Sequence, residues 1–280
     1  MPQAIRPAAV AGLFYPDAAS TPRAEVRRHL DRVQAGAAAV AAPKVLLVPH
    51  AGYVYSGPVA AHAYALLAPW RERIRRLVLL GPTHRVAVRG LAVPTVDAFE
   101  TPLGAVRLDR AAIASLADLP QIVVHDGAHA AEHALEVQLP FLQTVLADFA
   151  LVPLAVGRVA PEAVAQVLER LWGGDETLVV ISSDLSHYLP YARAQAVDGA
   201  TVQRILALDP RLDHDEACGA TPLAGALLAA KAHGLAPRLL DLRNSGDTAG
   251  DRSRVVGYAA VAFEPAGGAR AAAGDGTAAD

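Results

Sequence analysis

The chain has 280 residues, of which 53% are hydrophobic and 19% charged, so it is long enough to bury a large core. Its 25 basic and 28 acidic side chains give a formal net charge of -3, and 5% of its residues are aromatic. These values exclude the basic surface and the stacking platforms of a typical nucleic-acid-binding protein, and they provide no attraction to an anionic membrane. A single cysteine cannot form an internal disulfide, which fits a reducing compartment.

The amino-terminal sequence lacks the basic-then-apolar layout of a signal peptide, and charged or histidine residues interrupt every rich apolar stretch. No uninterrupted apolar run approaches the roughly 20 residues that a membrane helix needs. We therefore expect a cytoplasmic protein with no membrane span. We also expect one domain over residues 1–264, followed by a disordered tail of small residues at 265–280.

Helical and strand patterns alternate along the chain. The predicted elements are a helix at 22–35, a small-residue connector at 35–43, a strand at 44–49, a helix at 58–67, a strand at 76–81, an edge hairpin or extended loop at 88–108, a helix at 132–147, a strand at 149–156, a helix at 161–171, a strand at 177–183, helices at 191–208 and 219–233, and strands at 237–243 and 254–263. The strands at 44–49, 76–81 and 177–183 are continuously apolar, which is typical of strands buried on both faces. The pattern predicts a single α/β domain with a central, mostly parallel or mixed sheet and helices on both faces.

Each of these three buried strands ends just before a side chain that can bind a metal. His50 follows the first strand, His84 follows the second, and Asp184 and His187 follow the third. Ligands of open α/β sheets bind beyond the carboxyl ends of the strands. We therefore expect these side chains to share one site.

Cys218, directly before the predicted helix at 219–233, is a further candidate for this site. A helix amino terminus lowers the pKa of a thiol, so we expect Cys218 to favour the thiolate. With His50 and His84 it forms a donor set suited to zinc, iron(II) or copper, and three protein ligands leave coordination positions open. Taken singly, each residue also fits a structural role, as a satisfied histidine or a small buried cysteine.

Asp184 and His187 are the predicted catalytic residues. A carboxylate three residues before a histidine can orient its ring, or the pair can supply acid and base groups beside a metal. The alternative is that Ser183 or Asp184 begins a short helix.

The segment from His129 to His133 matches H-x-x-E-H, the inverted zinc-peptidase pattern, in which Glu132 would activate a metal-bound water. That pattern requires both histidines on one helical face and a further carboxylate ligand, for which Glu136 is too close in sequence. The alternative is that Glu132 and His133 cap a helix and line the mouth of the crevice.

Six motifs follow one another between about Arg6 and Phe263: Pro49–Gly57, Leu80–His84, Glu132–Phe141, Ile181–Tyr188, Cys218–Gly219 and Ser245–Tyr258. Together they resemble the Memo family, whose bacterial and archaeal members are called AmmeMemoRadiSam system protein B.

The resemblance implies a fold similar to class III extradiol (non-haem iron) dioxygenases. It also implies a metal site in which His50, His84 and Cys218 are ligands to an iron or copper ion, with Asp184 and His187 beside it. Cys218 stands where these dioxygenases carry a carboxylate ligand, which argues against ring cleavage. The family name also implies partner proteins from a radical-SAM-associated system.

Three functional hypotheses follow. The first is a metal-dependent redox or oxygen-handling protein that acts on an unknown small molecule or peptide, with iron or copper as the ion and zinc as a further candidate. The second is a non-enzymatic module that binds a peptide or partner protein, for which Tyr53, Tyr55 and Tyr188 would supply contact area. The third is a zinc-dependent hydrolase built on His129, Glu132 and His133. The sequence leaves the substrate, the metal and the oligomeric state open.

Overall fold

The computed structural model describes residues 4–33 and 42–266 of the chain. The strands, in chain order, are β1 (Ile5–Arg6), β2 (Val45–Val48), β3 (Arg76–Pro82), β4 (Leu91–Val93), β5 (Ala98–Thr101), β6 (Gly104–Arg107), β7 (Ile122–Val124), β8 (Ala150–Val156), β9 (Thr177–Ser182), β10 (His187–Leu189), β11 (Leu235–Asn244) and β12 (Val255–Pro265). The helices are α1 (Thr21–Leu30), α2 (Tyr53–Ala65), α3 (Arg110–Ala114), α4 (Asp126–Ala130), α5 (His133–Glu136), α6 (Leu139–Val145), α7 (Pro161–Leu171), α8 (Tyr191–Leu206), α9 (Ala220–Ala232) and α10 (Ser245–Thr248), with a 3₁₀ turn at Ala68–Trp70.

The main sheet has the strand order β10-β12-β2-β9-β3-β8-β4-β7, and β11 pairs with β12. Its four central strands, β2, β9, β3 and β8, are parallel, whereas β12 joins β2 and β4 joins β8 in antiparallel fashion. A second, small sheet in the described part of the chain has the order β1-β5-β6. The predicted α/β class is therefore confirmed, and of the two predicted kinds of sheet the structure shows the mixed one.

The central strands are covered on both faces. Every residue of β2 and β9 is buried, which requires packing on both sides of the sheet. Helix α2 packs against β2, β11 and β12, and α9 packs against β2, β3 and β9. The buried apolar residues form one connected core, as the prediction of a single domain requires.

The register of the parallel strands brings their carboxyl ends to one edge. Val48 of β2 pairs with Ser182 of β9, and Leu80 of β3 pairs with Ile181 of β9. The residues that follow β2, β3 and β9 therefore leave the sheet side by side. This register supplies the physical basis for a shared site at that edge.

Three predicted helices have different bounds in the structure. The helix predicted at 22–35 ends at Leu30. The predicted helix at 132–147 is two helices, α5 and α6, because Pro140 in the first turn of α6 has no N–H to continue the earlier helix. Helix α2 begins at Tyr53, not at the predicted residue 58, after Gly52 at its N-cap. Pro58 lies inside this helix, close to its amino end.

The region 88–108 contains the predicted hairpin, formed by β5 and β6, but its first part, β4, joins the main sheet. The short elements β1, α3, β7, α4 and β10 were not predicted, because two to five residues give no measurable periodicity. The predicted connector at 35–43 and tail at 265–280 fall largely outside the described residues, although Pro265 still belongs to β12.

Candidate metal centre

Three imidazoles converge at the carboxyl edge of the central strands. His50 follows β2, His84 follows β3, and His133 begins α5. One ring nitrogen of each lies within 4.8 Å of one ring nitrogen of the others. The ring centroids of His84 and His133 are 4.5 Å apart, and that of His50 lies 5.2 Å and 5.3 Å from them. The sequence predicts the first two members of this cluster, whereas it places His133 either in the hydrolase site with His129 and Glu132 or at the mouth of the crevice.

The sulfur of Cys218 lies beside this cluster, in the loop before α9. Its Sγ is 3.3 Å from Nε2 of His50. The expected lowering of its pKa is wrong: burial, and then the nearby Asp184 carboxylate, raise the pKa of the Cys218 thiol to about 12. Cys218 therefore lies close to His50, as predicted, while its role as a metal ligand stays a prediction.

His50 is held from both its backbone and its ring. Its N–H donates to Oδ1 of Asp184 at 2.7 Å, and its Nδ1 lies 3.0 Å from Oγ of Ser182. Burial, and then the neighbouring His84, lower the pKa of His50 to about 3. The ring is therefore neutral at physiological pH, which is the form that binds metals.

His84 is oriented by the carboxylate of Glu132. Oε1 of Glu132 accepts from Nδ1 of His84 at 2.9 Å, and Oε2 accepts from the His84 backbone N–H at 2.6 Å. Oε1 also accepts from the N–H of Ala134 at 2.9 Å, so Glu132 caps α5 as the alternative to the peptidase hypothesis predicted. Burial alone would raise the pKa of Glu132, but the hydrogen bonds from His84 lower it to about 2. An ionised carboxylate on Nδ1–H leaves Nε2 of His84 free as a donor atom.

His187 is oriented by a backbone carbonyl. Its Nδ1 lies 2.9 Å from the oxygen of Leu185. Because a carbonyl can only accept, Nδ1 of His187 carries a proton, and in the neutral ring the lone pair is on Nε2. The expected orientation by Asp184 is wrong, since Asp184 instead accepts from the backbone of His50; burial raises the pKa of this Asp184 carboxyl.

The loop that carries His187 is pinned to β12 and α8. Leu185 N–H donates to the carbonyl of Gly257 at 2.8 Å, and Gly257 N–H donates to the carbonyl of Ser186 at 2.9 Å. The N–H of Ser186 donates to Oδ1 of buried Asp198 at 3.0 Å. Tyr188 has a φ of 58°, a left-handed conformation that costs a residue other than glycine about 1–3 kcal/mol. These contacts fix the position of His187.

A cavity of about 730 Å³ opens beside the cluster. His84, His187 and Cys218 are among the residues that line it. Leu189, two residues of α8 (Arg193 and Val197) and the acidic segment 213–216 complete the lining. Its size suits a small molecule or a peptide side chain.

The hydrolase arrangement of His129, Glu132 and His133 is not formed. His129 lies on α4 and His133 begins α5, so the two rings do not share one helical face. Nε2 of His129 is 2.9 Å from the carbonyl of Ala92, away from the cluster that contains His133. The ligand set predicted for a zinc-dependent hydrolase is therefore wrong.

The three tyrosines proposed as contact area differ in exposure. Tyr53 is buried, and its hydroxyl donates to the carbonyl of Val137 at 2.8 Å, so it contributes no contact surface. Tyr55 and Tyr188 are 41% and 62% exposed. None of the helices within 4–33 and 42–266 is long and apolar enough to cross a membrane.

Comparison with known proteins supports the family resemblance that the sequence motifs indicate. The family model described as "Memo-like protein" matches residues 6–262. A MEMO1 family protein of Ignicoccus hospitalis is 38% identical over 284 residues, covering 92% of this chain and 98% of its own length. A MEMO1 family protein of Methanopyrus kandleri is 40% identical over 235 residues, covering 78% of this chain and 82% of its own length.

A crystal structure of an uncharacterized protein from Escherichia coli K12 has the same fold, with a TM-score of 0.53 and 15% identity. The similarity covers 78% of this chain and 98% of that one. The family model and the two relatives span most of the chain, and the range matched by the family model includes the residues of the imidazole cluster. The chain belongs to the Memo family.

Proposed function

We propose that this protein binds a transition-metal ion through His50 and His84, with Cys218 or His133 as the third ligand, and carries out redox or oxygen-related chemistry in the adjoining cavity. Iron and copper are the first candidates, and zinc is a further one. The observation that carries the proposal is the convergence of three imidazoles within 4.8 Å, with the Cys218 sulfur 3.3 Å from His50 Nε2.

The donor atoms fit such an ion. Imidazole nitrogen and cysteine sulfur are borderline-to-soft donors, which favour iron, copper and zinc over magnesium and calcium. Burial keeps His50 and His133 neutral by lowering their pKa values to about 3 and about 4. Nδ1 of His133 is buried without a hydrogen-bond partner, although it lies 3.3 Å from Oε1 of Glu132, so no hydrogen bond holds this ring nitrogen.

The remaining residues have roles that follow from their contacts. A bound iron or copper ion would supply electron transfer, and zinc would supply polarisation of a substrate atom. His187 accepts a proton at Nε2 from a substrate group in the cavity, because Leu185 holds its Nδ1 proton. Asp184 fixes the backbone of His50, and Glu132 fixes the ring of His84.

Metal add-back tests the proposal and identifies the third ligand. Chelator-treated protein is titrated with iron(II), copper and zinc, and with cobalt(II), whose absorption spectrum reports thiolate ligation. We expect His50→Ala to abolish binding, and Cys218→Ser to remove the sulfur-to-cobalt band if Cys218 is a ligand. If the band is absent in the parent and His133→Ala weakens binding, His133 is the third ligand. Unchanged binding in His50→Ala would refute the site.

A second candidate function is recognition of a peptide or of a partner protein from a radical-SAM-associated system. The exposed rings of Tyr55 and Tyr188 favour it, since Tyr188 adopts a left-handed backbone and carries Arg254 over its ring at 5.3 Å. Partner binding that survives His50→Ala but is lost in Tyr188→Ala would support this function over metal chemistry.

A further inference from the structure

A chain of buried side chains leads from α2 to the ring of His50. Tyr64, Gln138, Ser182 and His50 are each no more than 2% exposed. The hydroxyl of Tyr64 donates to Oε1 of Gln138 at 2.7 Å. Oγ of Ser182 lies 2.7 Å from Nε2 of Gln138 and 3.0 Å from Nδ1 of His50. At this depth, each hydrogen bond has to be made within the protein.

Two carbonyl groups determine the direction of this chain. Nε2 of Gln138 lies 3.0 Å from the carbonyl oxygen of Pro49, which can only accept, so the amide nitrogen is at that end of the side chain. The same nitrogen must therefore donate to Ser182. Oγ of Ser182 in turn lies 2.6 Å from the carbonyl oxygen of Ala134, which accepts the single hydroxyl proton.

With its only proton directed to Ala134, the Ser182 hydroxyl can interact with His50 only as an acceptor. We propose that Gln138 and Ser182 are positioning residues that lock His50 as the tautomer with its proton on Nδ1, so that the Nε2 lone pair faces Sγ of Cys218. In water, the neutral histidine ring prefers its proton on Nε2, so the protein imposes the less common form. The consequence for metal binding rests on the proposed function, whereas the tautomer itself does not.

The tautomer is measured directly by long-range proton–nitrogen correlation NMR of metal-free protein labelled with ¹⁵N-histidine, at neutral pH. His50→Gln assigns the signals of His50. We expect Nδ1 of His50 to be protonated and Nε2 to be unprotonated in the parent. A parent ring with its proton on Nε2 overturns the proposal, and this result requires no variant that might fail to fold.

Variants separate positioning from general packing. Ser182→Ala removes the acceptor, and we expect the proton of His50 to move to Nε2 in part or entirely. Ser182→Thr keeps a hydroxyl and should restore the parental tautomer. Tyr64→Phe is the matched control, because it removes a buried hydroxyl while Pro49 still fixes the Gln138 amide. An unchanged His50 tautomer in Ser182→Ala would overturn the assignment of Ser182.

Zinc titration distinguishes this inference from the metal proposal. We expect Ser182→Ala to weaken zinc binding by about 10–100-fold, the usual effect of losing an outer hydrogen bond to a ligand histidine. A parent with the proton on Nδ1 that binds no metal supports the positioning role and contradicts the proposed function. A parent that binds metal with the proton on Nε2 when metal-free overturns the positioning role alone.

Discussion

Replacing Glu136 by glutamine tests how the amino-terminal segment supports the candidate site. The Glu136 side chain is completely buried. Its carboxylate accepts hydrogen bonds from the N–H groups of Ala9 and Val10 at 2.8 Å and 2.9 Å, from the Tyr15 hydroxyl at 2.6 Å, and from the Arg6 guanidinium. Four donor groups of the amino-terminal segment thus meet at one carboxylate.

Arg6 extends this network toward the metal centre. Its Nε donates to the carbonyl of His129 and its Nη2 to the carbonyl of Glu132, both at 2.8 Å. The Arg6–Glu136 pair therefore ties the amino-terminal segment to the turn that carries Glu132 and His133. Loss of this pair is expected to loosen that turn as well as to lower stability.

The expected loss follows from burial. Removing one charge of a buried ion pair costs about 3–5 kcal/mol, because the remaining charge is left in a low-dielectric interior. Glutamine also places an NH₂ group where Glu136 accepts from Ala9, Val10 or Tyr15, so at least one donor would face another donor. We expect Glu136→Gln to lower the free energy of unfolding by about 3–5 kcal/mol, out of a typical total of about 5–15 kcal/mol.

Urea unfolding of metal-free protein at neutral pH, followed by circular dichroism, measures this change. Glu100→Gln, at an exposed strand position, is the control and should stay within about 0.5 kcal/mol of the parent. In a double-mutant cycle, Arg6→Met added to Glu136→Gln should cost at least about 1 kcal/mol less than in the parent background. A Glu136→Gln protein within about 1 kcal/mol of the parent would refute the reasoning.

Burial lowers the pKa of His29 to about 4, below the value of 6.5 in an unfolded chain. Between these two pH values the unfolded state binds more protons than the folded state. The free energy of unfolding therefore falls as the pH drops from 6.5 to 4. Between pH 7 and pH 4, the free energy of unfolding of the parent should therefore fall by about 3 kcal/mol more than that of His29→Leu, as measured by urea unfolding at both pH values. Equal losses in the two proteins would contradict the expectation. Gly257→Ala should destabilise by about 1–3 kcal/mol, since its Cβ would lie 2.1 Å from Oδ2 of Asp198. Gly199→Ala should stabilise the protein by about 0.5–1 kcal/mol, because Gly199 lies within α8 and its added Cβ would enter open space. If thermal unfolding shows that both glycine variants stabilise, or that both destabilise, this contrast is refuted. Glu132→Gln should weaken zinc binding by about 10–100-fold, and calorimetry showing parental affinity would exclude its role in orienting the ligand.

The sequence predicts that His50 and His84 lie together because the ends of the buried strands can be located from the sequence. Continuous apolar runs mark β2, β3 and β9 as buried strands, and parallel strands open their carboxyl ends at one edge. His50 and His84 directly follow two of these ends, so their proximity required no tertiary information. Cys218, far away in sequence, was placed there by the helix start that follows it and by the family motif.

His133 was missed as a member of the cluster with His50 and His84 because the leucine spacing around it predicts one long helix. On that helix, His133 would line the crevice mouth or join the hydrolase site. The structure instead has a helix α5 of only four residues, which begins at His133. The position of His133 depends on the break before Pro140, which is a local effect of proline, and on the Arg6–Glu136 pair, which joins segments distant in sequence. The inverted peptidase pattern at 129–133 failed for the same reason, because the chain divides between two short helices.

The pKa of Cys218 and the hydrogen bonding of His187 could not be predicted from the sequence. The helix after Cys218 suggested a thiolate, but burial and Asp184 raise the pKa of the thiol instead. The spacing of Asp184 and His187 suggested a hydrogen-bonded pair, but the loop turns so that Leu185 holds the ring of His187. Both outcomes depend on burial and on loop geometry, which leave no local sequence signal.

Isothermal titration of chelator-treated protein with zinc and, under anaerobic conditions, with iron(II) tests the central claim most directly. We expect one ion per chain, with the affinity reduced by more than about 100-fold in His50→Ala and His84→Ala, since losing a ligand costs more than losing an outer hydrogen bond. His233→Ala, a partly exposed histidine paired with Glu169, should bind as the parent does. Equal affinity in the parent, His50→Ala and His84→Ala, or no binding by the parent, would contradict the claim that these imidazoles form a metal centre.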